Sequence, residues 1–166
     1  MSPDLVKILS FLDEVGIEYE LTPLSGESFL PGISIGNGRL LIDVAQLKHP
    51  GDVLHEAGHI AVELPEDRPK LSGNVEEHKP NAAKLEIGVI LWTWAAIVYL
   101  DLDPAIVFHE EGYRGASTWY IEQFSQGNYI GLPLLKWMGL TGGPQSLEPF
   151  PHMTQWLRPA PEESLS

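Results

Sequence analysis

The chain contains no cysteine. Disulfides are therefore excluded, and so is any metal site built on thiolates. Basic residues are scarce: ten Lys and Arg stand against 23 Asp and Glu, a net charge of −13. A general nucleic-acid surface needs clustered Lys and Arg to neutralise phosphates, so no nucleic-acid partner is expected. Long apolar runs are missing too. The charge-free stretch from Ile87 to Leu100 is 14 residues long, short of the roughly 20 that a membrane span requires. It reads as a buried core helix, and no membrane partner is expected. After Met1 comes an acidic, amphipathic segment in place of a basic stretch and an apolar run. No secretory signal is read there, and the expected location is the cytoplasm.

What is present is an ordinary globular composition, with 43% hydrophobic and 20% charged residues in 166. That length suits one domain with a sizeable core. Ser2-Pro3-Asp4 has the chemistry of a helix start: a hydroxyl cap, a proline at the first position and an acid at the positive end. Leu5, Ile8, Leu9, Leu12 and Val15 follow at helical spacing until Gly16. Ile17 to Leu21 alternates as a strand would, and residues 22 to 32 read as a loop. Ile33 to Ile35 and Arg39 to Val44 flank Gly36-Asn37-Gly38, a strong hairpin signal. An edge of that hairpin could pair with an extended peptide, although a plain structural hairpin is an equal reading. Further helices are expected over 81 to 100, 104 to 109, 116 to 126 and 132 to 138. Residues 65 to 81 read as a polar surface loop, in which Glu76, Glu77 and His78 form a solvated cluster. The organisation expected is one domain over residues 1 to 140 and an irregular, proline-rich extension over 141 to 166.

The chemistry concentrates in His55-Glu56-Ala57-Gly58-His59. Two histidines four apart lie about 40° apart around a helix axis, so both imidazoles face one point. That is half of a tetrahedral zinc site. Glu56 falls about 60° beyond His59 on the same broad face, where its carboxylate can reach a metal-bound water without ligating the metal. The neighbours Val53, Leu54, Ala57, Gly58, Ile60, Ala61 and Val62 are uncharged. A solvated helix would not look like this, and a buried one needs partners for its histidines. The competing reading is a buried helix whose histidines satisfy nearby carbonyls.

On this motif and its uncharged flanks the chain resembles the zincin metallopeptidases over about residues 30 to 100. It is closest to small gluzincin-like proteins of the ImmA/IrrE type. The resemblance implies an α+β fold, a mostly helical zincin-like domain with a short antiparallel hairpin packed on the motif helix. It also implies a third metal ligand on a following helix. The metzincin pattern is ruled out, because it requires Gly and His where this chain has Val62 and Pro65. Glu86 is the one charged residue between Leu85 and Leu100. An unpaired buried carboxylate is costly, and coordination would remove that cost. If Glu86 instead faces solvent, it merely complements the helix dipole. His109 is the rival ligand. His109, Tyr113 and Tyr120 are also candidates to hydrogen-bond a developing oxyanion. The expected function is zinc-dependent hydrolysis of a peptide or protein substrate, with Zn2+ on His55, His59 and Glu86 and Glu56 as general base. The alternative is a zinc-binding regulatory or interaction protein of the same fold that cleaves nothing.

Overall fold

A computed structural model describes residues 1–25, 30–73, 82–142 and 147–161. The first helix, α1 (Pro3–Val15), begins where the Ser2 side chain accepts the Leu5 amide at 3.2 Å. It ends where Gly16 enters the left-handed region at φ 88°. Its stripe of Leu5, Ile8, Leu9 and Leu12, joined by Phe11, is buried. Three short strands follow: β1 (Tyr19–Leu21), β2 (Ile33–Gly36) and β3 (Arg39–Ile42). Asn37 and Gly38, at φ 51° and 77°, make the tight turn that the Asn-Gly pair demands.

The sheet differs from the expected antiparallel one in a single respect. β3 is central; β2 pairs with it antiparallel, but β1 pairs with it parallel. The tight turn forces β2 and β3 to run in opposite directions. β1 lies on the other side of β3 from β2 and runs in the same direction as β3. β3 also stops two residues short of Val44, because Asp43 turns the chain. Its carboxylate accepts from the amides of Leu24 at 2.9 Å and Ala45 at 3.1 Å, and from Gln46 Nε2 at 2.8 Å.

The motif helix α2 (Gly51–Ala61) lies against both β2 and β3 and is buried along most of its length. Its last carbonyls are capped from outside the helix. Arg68 Nε donates to Ile60 O at 3.2 Å, the Arg158 amide to Ala61 O at 2.8 Å, and Arg158 Nη1 to Val62 O at 3.2 Å. These bonds satisfy carbonyls that every helix end leaves open. Residues 147–161 are irregular, as their prolines imply, yet docked: Phe150 and Met153 are buried, and Trp156 O accepts from Trp92 Nε1 at 2.9 Å.

The core helix α3 (Ala82–Leu100) packs across α2. Val89, Ile90, Leu91, Trp92, Trp94, Ala95, Ala96 and Ile97 are all buried, which is why its apolar residues show no one-sided stripe. No helix among the described residues is long and apolar enough to cross a membrane. The helix expected over 104 to 109 is only a 3-10 turn, Pro104–Ile106, capped by Asp103. Two short helices, α4 (Ser117–Ser125) and α5 (Leu132–Trp137), complete a small α+β architecture. The cluster Glu76, Glu77 and His78 lies outside the described residues.

Candidate metal centre

α2 presents His55 and His59 on successive turns, with ring centroids 5.0 Å apart. The ligand-capable atoms of His55, Glu56 and His59 lie within 4.8 Å of one another, a group that could hold a metal ion. α3 brings Glu86 to the same place. Glu86 Oε1 is 3.2 Å from His55 Nε2, and Oε2 is 3.1 Å from His59 Nε2. One carboxylate thus stands across two imidazoles. His59 is 5% exposed, while His55, Glu56 and Glu86 are partly buried.

The approach of α3 depends on the fourth residue of the motif. A Cβ built on Gly58 would stand 2.9 Å from Val89 Cγ1 and 3.2 Å from Trp92. A side chain at 58 would force Val89 to shift, and Val89 lies about one helical turn beyond Glu86.

Burial by itself raises the Glu86 carboxyl. The imidazoles of His55 and His59, through contact and charge, outweigh burial and hold it well below the ordinary carboxylate range. Glu86 is therefore ionised and acts as an acceptor. Its Oε2 is buried and, although near His59 Nε2, is not aligned with it for a hydrogen bond. Two imidazoles and carboxylates that approach one another without full hydrogen-bond satisfaction form a donor set that could hold a metal ion.

Tyr113 joins the site through His55: its hydroxyl is 2.8 Å from His55 Nδ1. Burial foremost, then the charges of Glu86, Asp52 and Glu56, push this phenol well above its usual range, so it stays neutral. Its backbone is in the left-handed region at φ 53°. For a bulky residue that conformation costs on the order of 1–3 kcal/mol and persists only where the surroundings impose it. Here the ring is held between Phe108 at 5.0 Å and Tyr120 at 5.6 Å.

His109 goes elsewhere. Its Nε2 is 2.8 Å from Asp52 Oδ1, and its ring stacks on His49 at 3.6 Å. It is not part of the convergent group, so the rival-ligand reading gains no geometric support. Asp52 stands in the first turn of α2, where an acid also complements the helix dipole. It is 4% exposed. An acid on the buried face of a helix needs a partner, and that signal was available in the sequence. Tyr120 is half-buried, and burial and the Glu86 charge raise its hydroxyl. Glu111 is an exposed partner of Lys48 and His49, as a solvated acid should be.

Compared with protein-family models, curated proteins and solved structures, the chain matches none.

Proposed function

We propose that this chain is a zinc-dependent hydrolase of peptide or amide bonds. The observation that carries the reading is the Glu86 carboxylate lying across the two motif imidazoles, with Glu56 in the same group. His55, His59 and Glu86 would hold the ion, leaving a fourth position open. Bound there, zinc supplies Lewis-acid polarisation and brings the pKa of a water towards neutrality.

The chain's own residues do the rest. Glu56 is not needed as a ligand, and its carboxylate would accept a proton from the attacking water. It then returns that proton to the departing amine nitrogen. Tyr113 is occupied with His55, which leaves the Tyr120 hydroxyl as the better candidate to donate to the substrate carbonyl oxygen as negative charge builds there.

The test combines elemental analysis of the purified protein with cleavage of a mixed peptide library. Wild type is expected to carry about one zinc per chain and to cleave. Glu56→Gln is expected to keep the metal and lose about 10²–10⁴-fold in rate. Equal cleavage by the variant would overturn the general-base assignment. Zinc without cleavage in either protein would favour a binding role for the same site.

A further inference from the structure

Resting on the metal site proposed above, we infer that residues 147–161 are a clamp on that site. Their docking holds α2 and α3 in place against each other, so that docking and cation binding strengthen one another. The segment forms no helix or strand, only a single bridge between Met153 and Thr141. It nevertheless bonds to both helices that carry the candidate ligands. At the end of α2 the Arg158 amide donates to Ala61 O at 2.8 Å and Arg158 Nη1 to Val62 O at 3.2 Å, just past His59. Arg68 closes the same corner: its Nε donates to Ile60 O at 3.2 Å and its Nη2 to Arg158 O. From α3, Trp92 Nε1 donates to Trp156 O at 2.9 Å, and the two indoles meet edge to face at 5.7 Å.

Trp92 links the clamp to the ligands. A Cβ built on Gly58 would stand 3.2 Å from Trp92 Cε3, and His59 is the next residue along α2. The nitrogen of one buried indole is thus held by residue 156 while its six-membered ring packs on the motif helix. Trp92 also shares α3 with Glu86. The Trp156 ring stands edge-on to Phe11 at 4.9 Å, which ties α1 into the same cluster. With the segment docked, the end of α2 is capped and the Trp92 ring is fixed against Gly58. Both contacts act on the spacing between the two histidines and Glu86.

Two physical arguments make this a coupled element. Carbonyls at a helix end need donors from outside the helix, and here they come from a residue 96 positions later in the chain. No helix or sheet ladder runs through residues 147–161, so the segment can open without unfolding the helices that it ties, as the less regular parts of a fold do. A cation held jointly by α2 and α3 binds only when both are in place. Whatever docking adds to cation affinity, the cation must then return to docking by the same factor.

Native-state hydrogen exchange of the full wild-type chain, with and without saturating zinc, reads the coupling directly. The amides of Thr154 and Arg158, which donate to Leu140 O and Ala61 O, should exchange about 5–150-fold more slowly with zinc. The Leu5 amide, held by the Ser2 cap at the start of α1, is the reference and should be unchanged. Chelator competition supplies the reverse direction. Arg158→Gln removes the bond to Val62 O and should bind zinc more weakly by a factor in the same range, about 5–150-fold. Asp43→Asn, which loosens the turn after β3 instead, should bind zinc as wild type does, although it too lowers stability. Zinc binding that leaves exchange at Thr154 and Arg158 unchanged overturns the clamp, as does equal zinc affinity of Arg158→Gln and wild type. Should Arg158→Gln not fold, exchange in the wild type still decides. A wild type that binds no zinc overturns the metal site and the clamp with it, an outcome distinct from a wild type that binds zinc without slowing exchange in the segment.

Discussion

Gly58 and Val89 meet so closely that any side chain at position 58 would stand 2.9 Å from Val89 Cγ1. That contact sets how near α3 comes to α2, and with it where Glu86 sits relative to the two histidines. Gly58→Ala should gain about 1 kcal/mol in helix propensity and lose about 1–3 kcal/mol to overpacking. A net loss of about 1 kcal/mol corresponds to a melting temperature lower by about 2–4 °C in a chain of this size. Calorimetry checks the stability. Zinc competition checks the second consequence, a weaker site because α3 is pushed away. A variant as stable as wild type would mean that the helices accommodate the methyl freely.

Glu86→Ala removes the carboxylate that spans His55 Nε2 and His59 Nε2. Zinc content after dialysis should fall well below one per chain. Zinc should raise the melting temperature of wild type, since a ligand at 100 times its Kd stabilises by about 2.7 kcal/mol. The variant should lose most of that increment. An unchanged zinc content in Glu86→Ala would remove Glu86 from the ligand set.

Asp52 and His109 form a buried pair 2.8 Å apart. Removing either leaves the other without its partner, so Asp52→Ala should destabilise by about 1–3 kcal/mol. A double-mutant cycle with His109→Ala should give a coupling of about 0.5–3 kcal/mol. Urea unfolding of the four proteins measures it. Additive effects would show that the contact contributes nothing to stability.

Asp43 gives a pH dependence of definite sign. The Leu24 amide above all, then Gln46 and Ala45, outweigh the opposing effect of burial and lower its carboxyl. The folded value therefore lies below the unfolded one, about 3.9. Its contribution is complete above that unfolded value and disappears as pH falls through the folded one. Asp43→Asn should flatten the acid limb of the stability profile, so that wild type loses more between about pH 5 and pH 2 than the variant does. Parallel acid limbs in urea midpoints would contradict this.

Much of the site was legible because its information is local. His55, Glu56 and His59 lie within five residues on one helix, and the 100° advance per residue alone brings them together. The N-terminal helix and the Asn-Gly hairpin were readable for the same reason: a hydroxyl cap, an apolar stripe and a positive-φ turn are properties of adjacent residues. Glu86 was legible in part. A single charge entering an apolar helix signals a partner, but nothing in sequence says where that partner is.

Other features were not local and were not read. The parallel pairing of β1 with β3 joins residues about 20 apart in sequence, which no local pattern specifies. The segment expected as a helix at 104 to 109 is a single turn, and its Ile106 carbonyl packs directly against Gly51 of α2. Asp52 looked like an ordinary first-turn acid until the chain returned His109 to it, 57 residues later.

By itself, then, the sequence determined the motif helix, the absence of thiolate ligands and the residues able to hold a cation, because spacing and side-chain chemistry need no tertiary contact. Only the tertiary structure decided which residues meet that helix. It placed Glu86 across both imidazoles, Tyr113 on His55 and His109 on Asp52. Those pairings span 27 to 58 residues of chain, separations at which spacing along one helix carries no information.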